Sequence, residues 1–150
     1  MATSLVDVND LFLSMVDDYR LNALYEQDVS AFNVYLEAFL IFAIDEFSDL
    51  CTQALTYSTT TQEFTVTLTN AHKIILARIM KKYWLQKEVH NILQMNNFVQ
   101  DRDFKTHSSA NALKEKQNLC RGAEEDISQM LQDYAYKNNT WTAWENQDFN

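Results

Sequence analysis

Proline is absent from this chain, and glycine occurs once in 150 residues. Few folds tolerate that. An all-β sandwich needs turn residues every 8–12 positions, and the chain has almost none of the residues that supply them. Glycine-rich phosphate loops are excluded on the same ground. Long, uninterrupted helices remain, because nothing in the sequence breaks them. Apolar residues make up 47% of the chain and aromatics 13%, enough to build a core rather than leave the chain disordered. A length of 150 residues fits a single domain.

Periodicity predicts about four helices. The first is expected from Asp7 to Tyr19, with Val8, Leu11, Phe12, Met15 and Val16 on one face and Ser4 as a cap. A connection around Asn22 to Gln27 follows. The second helix should start at Asp28 or Ser30 and run to Leu55. Its stripe is Phe32, Leu36, Phe39, Ala43, Phe47, Leu50 and Ala54, while Tyr35, Ile41 and Phe42 lie beyond it and call for a second packing partner. Phe64, Val66 and Leu68 alternate with threonines, which predicts one short strand over 64–68. Its partner is either a weakly patterned segment nearby or a strand of another subunit.

The third helix is expected from Thr69 or Asn70 to Met95. Its apolar stripe rotates past Trp84 to Leu85, Val89, Ile92 and Leu93, so the helix bends there or its second half meets another subunit. A polar connector, Asn96 to His107, leads to a last helix capped by Ser108 or Ser109 and reaching Tyr136. Leu113, Lys116, Cys120, Ala123, Ile127, Met130 and Tyr134 form its seam. Gly122 interrupts it, at a site for a bend or a close backbone approach. The expected architecture is mainly α: an elongated bundle over residues 1–136, then an extended C-terminal arm, 137–150, carrying Trp141, Trp144 and Phe149.

Charge is segregated. The formal net charge is −9, but residues 1–70 hold eleven acids and one base, Arg20. Residues 71–116 hold nine bases and four acids, and residues 117–150 hold six acids and two bases. The three segments thus carry −10, +5 and −4. Such a division suits a surface that meets nucleic acid or an oppositely charged copy of itself. Arg78, Lys81, Lys82 and Lys87, beside Tyr83 and Trp84, have the makings of a nucleic-acid contact. The acidic total counts against it.

Catalytic signatures are missing. Cys51 and Cys120 are far apart and form no CxxC pair, so they read as small core residues. His72, His90 and His107 have no metal-ligand spacing, and His72 and His90 read as residues of the inner helix face. Glu124-Glu125-Asp126 reads as a solvated helix surface. No enzyme activity, cofactor or metal is expected. Met1 to Ser4 carries no basic residue and Asp7 and Asp10 follow, unlike a secretory leader. The longest apolar stretch, Ala38 to Ile44, is far below the ~20 residues of a membrane helix. A soluble, intracellular protein with no membrane partner is therefore expected.

Phe64-Thr-Val-Thr-Leu-Thr69, Ile75-Leu76-Ala77 and Met80-Lys-Lys-Tyr-Trp84-Leu85 resemble segments of tailed-bacteriophage head–tail connector proteins, the adaptor or head-completion class. So do Asp101-Arg-Asp-Phe104-Lys105-Thr-His-Ser108 and Ala112-Leu113-Lys114. The resemblance spans roughly residues 30–136. It implies a structural virion protein of the neck, present in host cytoplasm during assembly. It further implies a homo-oligomeric ring, a dodecamer in that family, that docks on the portal protein and extends the channel for non-specific passage of double-stranded DNA. The ring would also present the attachment surface for tail or head-closure proteins.

Under that expectation the subunit interface draws on Tyr35, Ile41, Phe42, Arg78, Lys81, Lys82, Leu85 and Ile92. Trp141, Trp144 and Phe149 form an arm that grips the portal or a neighbour. The alternative is a helical interaction module, outside the virion, that binds a host or phage protein through its acidic face.

Overall fold

The computed structural model describes residues 2–99 and 107–138. Five helices stand among them: α1 (Leu5–Met15), α2 (Tyr19–Gln27), α3 (Val29–Ser48), α4 (Asn70–Val99) and α5 (His107–Lys137). Two short strands, β1 (Tyr57–Ser58) and β2 (Glu63–Phe64), form an antiparallel hairpin between α3 and α4. The protein is mainly α, as expected. Among the described residues no helix is long and apolar enough to cross a membrane.

Side-chain caps set the early boundaries. Ser4 Oγ accepts from the Val6 N–H at 3.2 Å and opens α1. Asp18 accepts from the Arg20 N–H at 2.9 Å and opens α2, so the expected connection over 22–27 is a helix. Asp28 accepts from the Ala31 N–H at 3.0 Å and opens α3. Each such cap satisfies a backbone donor that the helix leaves orphaned, worth about 1 kcal/mol.

Helix α3 ends seven residues before the expected Leu55. The Phe47 carbonyl accepts from both Leu50 N–H and Cys51 N–H, closing the last turn. Beyond it the polar groups have partners outside the helix. Thr52 N–H donates to the Tyr134 hydroxyl at 3.1 Å, and the Gln53 amide donates to the Thr67 carbonyl at 3.0 Å. These distant acceptors replace the helical ladder.

The strand expected over 64–68 is shorter, and its partners lie within the chain. Tyr57 pairs with Phe64 and Ser58 with Glu63, while the Thr65 N–H donates to the Thr56 carbonyl at 2.9 Å. On the other side the chain's first residues pack alongside: Phe64 N–H donates to the Thr3 carbonyl at 2.7 Å, and Leu5 N–H donates to the Gln62 carbonyl at 3.0 Å. Thr3 is itself buried, its hydroxyl accepting from the Leu68 N–H at 2.8 Å. The alternation still shows in burial, with Phe64 and Leu68 buried and Thr65, Thr67 and Thr69 exposed.

Helix α4 is the centre of the fold. It packs against α1, α3 and α5, which is why its apolar residues cover more than one stripe. Ile75, Leu76, Ile79, Met80 and Leu85 are all buried within the chain. Beyond Trp84, where a bend or a second subunit was expected, Leu85 is buried within the chain, Val89 and Ile92 are half-buried and Leu93 is exposed. Burying each such side chain contributes roughly 1.5–3 kcal/mol.

Helix α5 lies against α4 through the expected seam. Ile127 and Tyr134 are buried, and Leu113, Lys116, Cys120, Ala123 and Met130 are half-buried. Gly122 has no close neighbour: a Cβ placed there meets nothing within 4 Å, so no close approach inside the described residues requires it. Gly122→Ala is expected to raise stability by about 0.5–1 kcal/mol through the unfolded chain's lost freedom. The urea midpoint reads this directly, and a fall in midpoint would show a need for glycine at that position.

Candidate interaction surfaces

Three arrangements of polar and exposed groups stand out. The first is a buried network at the junction of α4 and α5. His72 is buried, with Nδ1 2.6 Å from Gln53 Oε1 and Nε2 2.8 Å from the Tyr134 hydroxyl. A neutral ring fits both contacts: Nδ1–H donates to the amide oxygen, and Nε2 accepts from the tyrosine. Tyr134 in turn accepts from the Thr52 N–H. Phe47 covers the pair edge-on, 5.8 Å from His72 and 5.1 Å from Tyr134. Burial pushes the His72 pKa below its ordinary value. This is a satisfied core histidine, as its position on the inner face of α4 predicts.

The second is an ionic node. The Glu88 side chain, 5% exposed, meets Arg20 of α2 and, at 3.3 Å, Lys116 of α5. Arg20 also forks onto Asp18, with contacts of 3.1 and 2.9 Å. Burial pushes the Asp18 carboxyl up, but the bonds from Arg20 outweigh it and hold the pKa below the ordinary value. The one base of the acidic segment therefore works inside the chain, tying α2 to α4.

The third is the outer face of α3. At 100° per residue, Val34, Ala38, Ile41, Phe42, Asp45 and Asp49 fall within an arc of about 100°. Val34 is 65% exposed, Ile41 51% and Phe42 53%. Phe42 stacks on Tyr83 at 5.1 Å. Burial, followed by Glu46, raises the Tyr83 pKa to about 12.

The expected interface residues fall into two groups. Ile41, Phe42 and Arg78 are exposed, and Lys81 and Ile92 are half-buried. Leu85 and Lys82 are buried, and Lys82 pairs with Glu46 of α3. Tyr35 is half-buried beneath Lys87, whose Nζ lies 4.4 Å from its ring centre. Lys82, Leu85 and Tyr35 thus serve the chain's own packing, and part of the segregated charge is matched between α3 and α4 of the same molecule.

Of the basic cluster, Arg78 and Lys87 are exposed, and Arg78 borders an open groove of about 810 Å3 between α4 and α5. His90 is exposed and contacts Gln94 at 3.0 Å, not on the inner face as expected. Cys51 and Cys120 are free and half-buried rather than core residues. Burial, followed by Glu124, raises the Cys120 pKa. Glu124, Glu125 and Asp126 are exposed. Among the described residues no group of three or more His, Cys, Asp and Glu is placed to hold a metal ion. Trp141, Trp144 and Phe149 lie outside the described residues.

Two features were missed from sequence. Glu88 looked like an unremarkable acid in a basic segment, and only its position one turn beyond Leu85 hinted at burial. Tyr25 and Val29, assigned to a connection and a helix start, stand exposed beside α1. No known family, curated protein or solved structure matches the chain.

Proposed function

We propose that the chain is a structural assembly subunit that works without catalysis, in the role its sequence resemblance implies: a head–tail connector of a tailed bacteriophage. It forms a ring on the portal protein, extends the DNA channel and offers an attachment surface to tail or head-closure proteins. The carrying observation is the apolar stripe of α3 at Val34, Ile41 and Phe42, each at least half exposed among the described residues. Exposed apolar residues gathered on one face mark an interaction site. A ring interface is heterologous, one patch meeting a different patch on the neighbour. Acidic Asp45 and Asp49 beside the stripe, and exposed Arg78 elsewhere on the chain, suit such a pairing.

Sedimentation and native mass measurement test this on the chain alone and mixed with a portal. A multimer of defined count is expected, and Ile41→Glu with Phe42→Glu should abolish it while keeping the helical circular dichroism and costing the fold only the Phe42–Tyr83 stack, about 0.5–1.5 kcal/mol. A chain that stays monomeric in every context, portal included, would sink the proposal. A second reading, an interaction module acting through the acidic N-terminal region, is favoured by a separate groove there.

A further inference from the structure

The groove between α1, α2 and the first half of α3 makes two demands that nothing in the described chain meets. It encloses about 480 Å3. Val16, Leu21, Phe32 and Leu36 give it an apolar floor, while Val6, Tyr25 and Val29 stand half exposed on its rim. Tyr25 is fixed there by Phe32, edge-on at 5.2 Å. The first demand is thus for apolar side chains.

The second demand is for positive charge. Asp10, Asp17 and Asp18 belong to the lining, and no Lys or Arg does. Arg20 answers Asp18 from the far side. Asp10 and Asp17 form no ion pair among the described residues.

We infer that this groove receives a basic, apolar-anchored segment of a partner protein. Its Leu or Phe side chains enter the groove, and its Lys or Arg residues face Asp10 and Asp17. An amphipathic helix laid in a groove has this chemistry. Complementary charge steers it and fixes its register. Nucleic acid and anionic lipid are repelled by the same carboxylates. The C-terminal segment 139–150 holds Glu145 and Asp148 and no base, so it brings aromatics but the wrong charge. The inference gives the acidic-region reading its site and partner class. It stands independently of ring assembly, which uses the outer face of α3.

Fluorescence anisotropy tests it with an 18-residue Leu/Lys amphipathic helix as ligand. Controls are the same pattern in Leu/Glu and a scrambled Leu/Lys peptide. The patterned Leu/Lys peptide should bind, the Leu/Glu peptide should not, and scrambling should weaken binding several-fold. Asp10→Asn with Asp17→Asn should weaken it about tenfold, equivalent to 1.4 kcal/mol. Asp45→Asn with Asp49→Asn, acids outside the groove, should change it less than twofold.

The Ile41→Glu/Phe42→Glu chain should still bind, which separates this site from the assembly face. Equal losses from both Asp pairs, or no binding by the patterned peptide, would overturn the inference. So would displacement of the peptide by a synthetic 139–150 segment, which assigns the groove to the arm. Loss of self-association on Asp10→Asn/Asp17→Asn would assign it to a second copy and overturn it equally.

Discussion

Arg20→Met is expected to lower stability by about 2–3 kcal/mol, although the arginine itself is largely exposed. The cost falls on Glu88, whose side chain is 5% exposed and would keep only Lys116 as a counter-charge. Removing one partner of a fully buried pair costs about 3–5 kcal/mol. Solvent around Arg20 and the remaining Lys116 reduce that figure. Glu88→Met should be milder, about 1 kcal/mol, because both cations can turn to water. In the double variant most of the Arg20→Met penalty should vanish. A urea-unfolding cycle on the four proteins should therefore return a coupling of about 2 kcal/mol. Purely additive effects would mean that α2 is not held through this node.

Tyr134→Phe is expected to cost about 2 kcal/mol. The ring and its packing on Phe47 survive, but His72 Nε2 and the Thr52 N–H lose their shared partner. Leaving a buried polar atom unpaired costs about 1–3 kcal/mol, and Thr52 lies near enough to the surface to recover part of it. The same network predicts a pH response. Burial lowers the His72 pKa in the folded chain, so the unfolded chain takes up the proton first. Stability is whole above about pH 6.5, the ordinary histidine value. It declines as pH falls below that until the folded imidazole also titrates. His72→Gln should flatten this slope. An unchanged slope in His72→Gln would remove the imidazole as its source.

The seam of α5 was legible because its core positions recur at helical spacing. The stripe of α3 was legible as far as Phe47 for the same reason. What failed was local pattern in places where distant groups decide. Helix α3 stops where Tyr134 and Thr67 offer partners more than a dozen residues away. Helix α2 was passed over because it buries little besides Leu21, although Asp18 carried the capping signal. The rotated stripe of α4 suggested a bend or a second subunit, and a central helix with several neighbours buries the first of its residues, Leu85, within the chain. The docking groove was invisible for a further reason. Val6, Tyr25 and Val29 belong to three different helices, and no periodicity within one helix announces their meeting.

The lacing of Thr3 and Leu5 to residues 62–68 has a consequence for the order of events during synthesis. Thr3 and Leu5 find these partners only after the hairpin and Leu68 have left the ribosome. Helix α1 can coil early, but its entry is fastened only once some sixty further residues have followed it. Contacts of that sequence separation close late and slow the search for the native state. The segment ahead of α1 is therefore a latch, fitted by residues 62–68.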